Sequence, residues 1–470
     1  MLENPVFSPA RLPCGRNLRN RLVKVALYEH LGNFQGGPAN AYHVGLYSEW
    51  AKHPWGMIIT GNVQVSPRHL TLGRDMVVPS ILDTETVKPF KVLVDAIHGA
   101  AHQDSEQDGE ALAIMQLSHA GRQSPNIAGG RSLGVPPLAP SALRVGSSRV
   151  GSKTTSASMV YNGLFQVPRE MTIEDINTVK QEFVRGALLA ARSGFDGIQL
   201  HVAHGYLLSE FVDPKTNFRQ DDYSADHENA LRLLEEIVHE IRLAVPSDFI
   251  VGVKINSADY VGSGTLPEAV LEEDRRVLNH VRTIASWAID FIEISGGDYV
   301  KPEFMSNAST SSRQAFFAHF SQKVMRELKS EPKTVSPLPL ILLTGGLRSP
   351  ALLESAIRAE HADLLGIGRS AILCPDIPTR LQKVSNSDYD YDREFAAGPP
   401  SQSKVWLPRI PLIGAGVELA WYTVRMRNVA TSQMPKKPAS SKTGLSPSCP
   451  PIDYKLGALR ALLTMWIWST

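Results

Sequence analysis

Residues 339–369 read PLILLTGGLRSPALLESAIRAEHADLLGIGR and contain one full repeat of the predicted fold. Two short, almost wholly apolar runs, 339–346 and 362–369, flank a segment whose apolar residues recur at three- and four-residue steps. Near-continuous apolar content is typical of a strand buried on both faces, and the longer period is typical of an amphipathic helix. The stretch therefore predicts a strand, a helix and a second, parallel strand.

The same kind of apolar run occurs six more times earlier in the chain. These runs lie at 21–27, 56–63, 111–119, 196–202, 248–257 and 289–297. The clearest of the predicted helices between them begins after Thr172 with an acidic first turn and ends before Gly194, as helix capping favours. An open dinucleotide-binding sheet would carry a glycine-rich fingerprint after its first strand, and none follows 21–27. Eight strands with intervening helices predict an α/β fold, a (β/α)8 TIM barrel.

Two segments do not fit the strand–helix repeat. Residues 120–170 are rich in Gly, Pro and Ser and are too long for a simple loop, so they predict an insertion after the third strand that covers the site as a lid. Residues 431–470 begin TSQMPKKPASSKTGLSPSCPP, a composition that predicts a poorly ordered, flexible tail. The barrel domain is therefore expected to span residues 1–430.

The overall composition excludes several classes of protein. The 48 basic and 47 acidic residues among 470 nearly cancel, so no electrostatic argument favours nucleic acid as a partner. Cys14, Cys374 and Cys449 lie too far apart for a zinc site, an iron–sulfur cluster or a disulfide framework, which indicates a reducing compartment. The N-terminus does not resemble a signal peptide, and no stretch reaches the roughly 18 apolar residues that span a bilayer. We expect a cytoplasmic protein without stable membrane insertion.

The candidate functional residues lie where the predicted strands end, because the carboxyl ends of barrel strands build the active site. In chain order these residues are Ala26, Leu27, Tyr28, Gly61, Gln116, His201, His204, Tyr206, Lys254, Gly345, Gly346, Gly368 and Arg369. The glycines after strands seven and eight let the backbone approach a ligand closely, and Arg369 adds a fixed positive charge. Together they predict a phosphate site rather than two tight turns and a surface arginine.

Two polar side chains lie within or at the end of predicted barrel strands. A buried lysine such as Lys254 is costly unless it is paired or used, so it could form a Schiff base or face a ring that becomes anionic. Gln116 could hydrogen-bond the edge of a heteroaromatic ring or be a satisfied core amide. The residues alone leave these alternatives open.

His201 and His204 lie three residues apart at the end of the fourth strand. A metal site would need at least a third ligand, and none stands at a comparable strand end, so we expect no metal. A structural pair is a second alternative. The favoured interpretation is a pair of donors directed at one substrate oxygen, which would polarise a carbonyl group as an oxyanion hole does.

An ordered series of motifs, nearly one for each strand, carries a family resemblance over roughly residues 5–425. These motifs are NRLVKVAL, GMIITGNVQVSP, MQLSHAGRQ, GFDGIQLHVAHGYLLSEF, FIEISGG, LLTGGLRSP and LLGIGRSAILCPDIP. The chain resembles the old yellow enzyme family of FMN-dependent ene-reductases, within the NADH:flavin oxidoreductase group, and is most similar to its fungal members. A relative with an iron–sulfur cluster is excluded, because Cys374 and Cys449 cannot form the cluster of cysteines it needs.

The resemblance implies a role for each candidate residue. Ala26, Leu27, Gly61 and Gln116 would line the isoalloxazine ring of a tightly, non-covalently bound FMN, and Lys254 would face its pyrimidine end. Gly345, Gly346, Gly368 and Arg369 would bind its phosphate. His201 and His204 would hydrogen-bond the carbonyl oxygen of the substrate, and Tyr206 would donate the proton. Tyr28 would also contact the cofactor, at a place where many relatives carry a small Thr or Cys.

The activity that the resemblance implies is a ping-pong reaction. NAD(P)H reduces the flavin, and the flavin then reduces the C=C bond of a small α,β-unsaturated carbonyl compound. Two alternatives stay open: a flavin-binding barrel that reduces quinones or nitro compounds or has a regulatory role, and a Schiff-base lyase that uses Lys254. A homodimer is a possible assembly.

Overall fold

The computed structural model describes residues 4–99, 110–147, 162–257, 267–295, 310–330, 337–383, 395, 411–434 and 458–467. Eight of its strands are β1 Leu22–Lys24, β2 Met57–Gln64, β3 Leu112–Ser118, β4 Gly197–Val202, β5 Ile250–Asn256, β6 Phe291–Ser295, β7 Leu340–Thr344 and β8 Leu364–Ile367. Each pairs in parallel with the next, and β8 pairs with β1, so the sheet closes on itself. The predicted (β/α)8 barrel is confirmed.

Helices surround the barrel. They are α1 Ala41–Ala51, α2 Thr84–His98, α3 Ile173–Ser193, α4 Leu207–Val212, α5 Arg232–Ala244, α6 Pro267–Ser286, α7 Thr310–Ser330, α8 Pro350–Arg358, α9 Arg369–Leu373, α10 Ile377–Lys383, α11 Pro411–Gln433 and α12 Ala458–Ile467. Helix α3 has the predicted ends, because the Thr172 side chain accepts from the Asp175 N–H and Gly194 closes the helix in the left-handed region. No helix in the described ranges is long and apolar enough to cross a membrane.

Short strand pairs and single turns lie outside this repeat. Ala10–Arg11 pairs with Asn17–Leu18, Met76–Val77 pairs in parallel with the end of β2, and Leu138–Ala139 pairs with Arg169–Glu170. Single turns of 3-10 helix occur at Pro5–Phe7 and Gly121–Gln123. These small elements leave the order of the barrel strands unchanged.

The apolar core has two parts, one inside the barrel and one between the strands and the helices. Inside, Ile59, Ile250, Phe291 and Leu342 belong to one buried apolar cluster. The Phe291 ring occupies the space beside Gly252, where an added Cβ would come within 2.2 Å of it. Inward-facing side chains therefore fill the lower half of the barrel, and polar groups lie nearer the carboxyl ends of the strands.

The predicted insertion begins beside the end of β4. The backbone N–H of Arg122 donates to Glu210 Oε1 at 3.0 Å, and Gln123 Nε2 donates to the carbonyl oxygen of His204 at 2.7 Å. Residues 148–161 lie outside the described residues, and the covering role of the segment 120–170 stays a prediction.

The segment predicted to be a flexible tail contains a packed helix. Helix α11 continues to Gln433, and α12 packs against it with Ala461 and Met465 buried. Because those two residues are four apart, they share one helix face, a pattern that the Pro- and Ser-rich sequence before it obscures. The segment predicted to be a flexible tail therefore includes a packed helix at Ala458–Ile467, and the rest of that prediction stays a prediction, because residues 435–457 lie outside the described residues.

Candidate active site

His201 lies near the end of β4 and is buried. Its Nδ1 accepts a hydrogen bond from the backbone N–H of Ala203 at 3.2 Å, so the proton of the neutral ring is on Nε2. Burial lowers the pKa of His201 well below its ordinary value, and the neighbouring His204 and Lys254 lower it further. His201 is therefore a neutral imidazole that presents an N–H donor.

His204 has an unusual backbone conformation for a residue with a side chain, with a φ of 60°. Its N–H donates to Asn256 Oδ1 at 3.3 Å, and its ring Nε2 lies 3.0 Å from Ser295 Oγ. Burial, and then the charge of Lys254, lower the pKa of His204 well below its ordinary value. A left-handed non-glycine residue costs of order 1–3 kcal/mol, so contacts from β5 and β6 hold the ring in this position.

The three residues predicted to be catalytic lie together. The His201 ring is 5.0 Å from the His204 ring and 4.7 Å from the Tyr206 ring, centroid to centroid, and both pairs are edge-on. Tyr206 is the residue directly before helix α4, and its hydroxyl oxygen accepts from Asn62 Nδ2 at 3.2 Å. Two neutral imidazoles and a phenol therefore share one small region at the end of β4.

A buried chain of polar side chains crosses four adjacent strands below these residues. Gln116 Nε2 donates to Gln199 Oε1 at 2.6 Å, and Gln199 Nε2 donates to Glu293 Oε2 at 2.7 Å. Lys254 Nζ lies 2.9 Å from Glu293 Oε1. Gln116 and Lys254, both predicted from the sequence to bind cofactor, are thus the two ends of one buried chain of two hydrogen bonds and an ion pair.

Ala26, Leu27 and Gly61 lie where β1 ends and β2 bulges. A Cβ added to Gly61 would come within 2.6 Å of the Leu27 carbonyl oxygen. The N–H of Gly61 donates to the Tyr47 hydroxyl at 2.8 Å, so it points towards α1 and away from the barrel. Leu27 also approaches Gly368, whose added Cβ would lie 3.5 Å from the leucine side chain. The ends of β1, β2 and β8 therefore adjoin one another.

The residues predicted to bind phosphate follow the adjacent strands β7 and β8. Gly345 and Gly346 have φ values of 123° and 73°, which a residue with a side chain rarely adopts. Gly368 caps helix α9, whose first residue is Arg369. Arg369 is ion-paired with Glu418 of α11 at 2.5 Å. The structure brings the four residues to one edge of the barrel, and their phosphate role stays a prediction.

Sequence reasoning missed the partners that hold these groups. Gln199, Glu293 and Ser295 orient the predicted site residues, as does Asn62 through its bond to Tyr206. The sequence carried one signal for two of them, the alternation of apolar and polar residues in FIEIS. Glu293 and Ser295 are two residues apart, so they share one face of an otherwise apolar strand.

Sequence reasoning also missed a buried ionic cluster between the barrel and α1. Lys24 is fully buried, with Nζ 3.2 Å from the carbonyl oxygen of Ile59 and 3.9 Å from the centre of the Trp50 ring. Burial lowers the pKa of Lys24 to about 8, against the opposing effect of Glu29. The Tyr47 hydroxyl donates to Glu29, and burial raises the pKa of that carboxyl group. This cluster fixes the loop that follows β1.

Within the described ranges, no group of three or more His, Cys, Asp or Glu side chains is placed to hold a metal ion. The arrangement at the strand ends instead offers hydrogen-bond donors, a phenol and buried positive charge. These groups can orient and polarise a carbonyl compound beside a planar, anion-forming ring.

The sequence matches the NADH:flavin oxidoreductase / NADH oxidase family over residues 5–388. It is 34% identical over 400 residues to the NADH-dependent flavin oxidoreductase iliE of Hypocrea jecorina, which covers 83% of this chain and 92% of that one. It is 32% identical over 430 residues to the NADH-dependent flavin oxidoreductase iccE of Talaromyces variabilis, covering 89% and 96%. The chain spans 46% of a Neonectria iliE that is 34% identical over 383 residues.

A solved structure of an old yellow enzyme homologue from Zymomonas mobilis is similar in fold. The two chains superpose with a TM-score of 0.60 at 20% sequence identity, over 81% of this chain and 93% of that one. A 2-naphthoyl-CoA reductase superposes with a TM-score of 0.63 at 21% identity, over 82% of this chain and 52% of that one.

Proposed function

Because the chain belongs to the NADH:flavin oxidoreductase / NADH oxidase family, as an oxidoreductase of the old yellow enzyme type, we propose that it reduces the C=C bond of small α,β-unsaturated carbonyl compounds. The family, the FMN cofactor and the NAD(P)H donor that the sequence predicts are thereby confirmed. The acceptor, the ping-pong order of the reaction and the roles of individual residues are the proposal.

The observation that carries the proposal is the group at the end of β4. The centre of the His201 ring lies 5.0 Å from that of His204 and 4.7 Å from that of Tyr206. Both imidazoles are neutral. Neutral imidazoles donate a hydrogen bond without protonating the acceptor oxygen. Such donors suit a carbonyl group that gains negative charge during the reaction.

The residues present fit FMN. Gly345 and Gly346 have φ values of 123° and 73° and carry no side chain that would keep a ligand from their backbone, and Arg369, which is paired with Glu418, would supply positive charge to a phosphate group. Lys254 and Gln116, at the two ends of the buried chain, would hold the pyrimidine end of the ring. When bound, FMN supplies the two-electron chemistry, taking hydride from NAD(P)H and passing hydride to the acceptor.

The chain's own residues then orient and polarise the acceptor. His201 would donate from Nε2 to the carbonyl oxygen, with Ala203 N–H fixing the tautomer. His204, held by Ser295, would donate to the same oxygen after a small change in that contact. Tyr206 would protonate the α-carbon, with its hydroxyl positioned by Asn62. Burial of the His201 and Tyr206 side chains would help to exclude water from the reacting carbons.

A Schiff-base reaction at Lys254 is disfavoured by the ion pair. Lys254 Nζ lies 2.9 Å from Glu293 Oε1, so this amine is already engaged by a buried carboxylate, whereas a lysine nucleophile must be free to attack a carbonyl carbon. Trapping with borohydride in the presence of a ketone would label Lys254 only if this lyase alternative were correct.

The test of the proposal is product analysis with NADH in D2O. A cyclic enone should give the saturated ketone with one deuterium at the α-carbon on a single face, delivered by Tyr206. His201→Asn should lower enone turnover far more than it lowers reduction of the flavin by NADH. An allylic alcohol, or turnover of quinones and nitro-olefins with no turnover of enones, would refute the proposal.

A further inference from the structure

Two helices lie beyond the part of the chain that matches the family, which ends at residue 388. Helix α11 packs against α1, and α12 packs against α11. Arg427 of α11 joins the two, because its guanidinium donates to the carbonyl oxygens of Thr464 at 2.9 Å and Met465 at 3.4 Å. The C-terminal end of α12 is therefore held in a fixed place on the barrel.

That fixed end lies on a residue of the loop after β1. The Trp466 ring is 5.3 Å from the His30 ring, centroid to centroid, with the planes 72° apart. His30 is buried and has a φ of 55°, so its backbone is held in the left-handed region. Nothing in the composition of residues 431–470 indicated a contact with this loop.

His30 in turn holds Tyr28. The Tyr28 hydroxyl lies 2.9 Å from His30 Nδ1, and the two rings are 5.8 Å apart. Burial lowers the pKa of His30 to about 3, with Arg74 and Arg427 adding to the effect, so the ring is neutral. Trp466, His30 and Tyr28 therefore form one chain of contacts that ends directly after Leu27, in the predicted flavin site.

We propose that Trp466 is a specificity-determining residue, which positions Tyr28 through His30 and so sets the room for the acceptor beside the flavin. The inference rests on the proposed function, because it concerns the same site. Tyr28 is large, and a large side chain narrows a cleft only when its rotamer is fixed. Trp466 supplies that restraint by blocking rotation of the His30 ring. The chain with Trp466 in place therefore favours flat enones with a small β-substituent.

The experiment compares two acceptors, 2-cyclohexenone and 3-phenyl-2-cyclohexenone, with the FMN-loaded full chain. In Trp466→Ala, the ratio of kcat/KM for the bulky acceptor to that for the small one should rise about tenfold, mainly through a lower KM for the bulky one. Trp466→Phe keeps an aromatic ring against His30, so its ratio should stay at the wild-type value. His30→Phe removes the hydrogen bond to Tyr28 and should therefore raise the ratio as Trp466→Ala does.

Leu463 provides a matched control on the same helix. Leu463 and Trp466 are 50% and 47% exposed, so neither substitution empties the core. Leu463→Ala should leave the ratio within twofold of wild type. Equal effects of Trp466→Ala on both acceptors, or an equal change of the ratio in Leu463→Ala, would overturn the inference.

A second measurement separates this inference from the proposed function. Tyr28 contacts the predicted flavin site, so Trp466→Ala should also shift the visible absorption spectrum of bound FMN, whereas Leu463→Ala should not. Wild-type protein that is reduced by NADH and turns over neither enone would contradict the proposed function. In that case an unchanged flavin spectrum in Trp466→Ala would overturn the inferred link from Trp466 to the flavin site through His30 and Tyr28, and a shifted spectrum would support that link.

Discussion

Replacement of Glu293 by Gln tests the buried chain below the site. Glu293 is 0% exposed, accepts from Gln199, and lies 2.9 Å from the ammonium group of Lys254, which is 3% exposed. Glu293→Gln keeps the shape of the side chain and its bond to Gln199 but removes the negative charge. Lys254 is then left as a buried cation without its counter-charge.

The expected loss of stability is large because the pair is desolvated. Removing one partner of a buried ion pair costs about 3–5 kcal/mol. With an unfolding entropy of ~2.1 cal/mol/K per residue over 470 residues, or ~1 kcal/mol/K, the melting temperature should fall by roughly 3–5 °C. An exposed pair offers the comparison: Lys91 and Asp95, with side chains 62% and 60% exposed, should contribute at most about 0.5 kcal/mol.

The assay is thermal and guanidinium unfolding of wild type, Glu293→Gln and the control Asp95→Asn, each followed by far-UV circular dichroism. The double variant Glu293→Gln/Lys254→Met removes the unpaired charge as well, so it should be more stable than Glu293→Gln alone. A loss in Glu293→Gln no greater than that in Asp95→Asn would refute the reasoning, as would a double variant less stable than the single one.

Three further predictions follow from the site and the cluster beside it. His201→Asn should lower kcat/KM for an enone about 100-fold, or ~3 kcal/mol, since one donor to the developing oxyanion is lost; a change below threefold in steady-state assays would contradict this role. Tyr206→Phe should slow reoxidation of the reduced flavin by an enone about 100-fold or more in stopped-flow measurements, while reduction by NADH changes little; equal slowing of both would argue against a proton donor. The pKa of Lys24 is about 8 in the folded protein and 10.5 in the unfolded chain. Between these pH values the unfolded state binds more protons than the folded state, so the free energy of unfolding should rise with pH from about 8 to 10.5. Lys24→Met should abolish that rise in pH-dependent urea unfolding, and an unaltered pH profile would show that Lys24 does not cause it.

The barrel could be predicted because each strand is short, apolar and followed by an amphipathic helix. The ends of α3 were predictable for the same local reason, since Thr172 and Gly194 act within one helical turn. The position of His201, His204 and Tyr206 at one strand end followed from the barrel rule alone. What these features share is that nearby residues determine them.

Pairings between distant parts of the chain could not be predicted in this way. The partner of Lys254 is Glu293 on the next strand, and their contact depends on the strand register, which pairs the two residues directly. The contact of Trp466 with His30 joins residues from opposite ends of the chain through a helix that the composition of its surroundings obscured. Arg369 was predicted to supply positive charge to a phosphate site, and its pairing with Glu418 could not be predicted because it depends on where α11 packs.

The measurement that tests the central claim most directly is anaerobic titration of the flavin. The purified protein should be yellow, its absorbance near 450 nm (about the wavelength of oxidised flavin in general) should bleach with one equivalent of NAD(P)H, and it should return on addition of one equivalent of an enone. A colourless protein that cannot be reconstituted with FMN, or a reduced flavin that enones fail to reoxidise, would contradict the account.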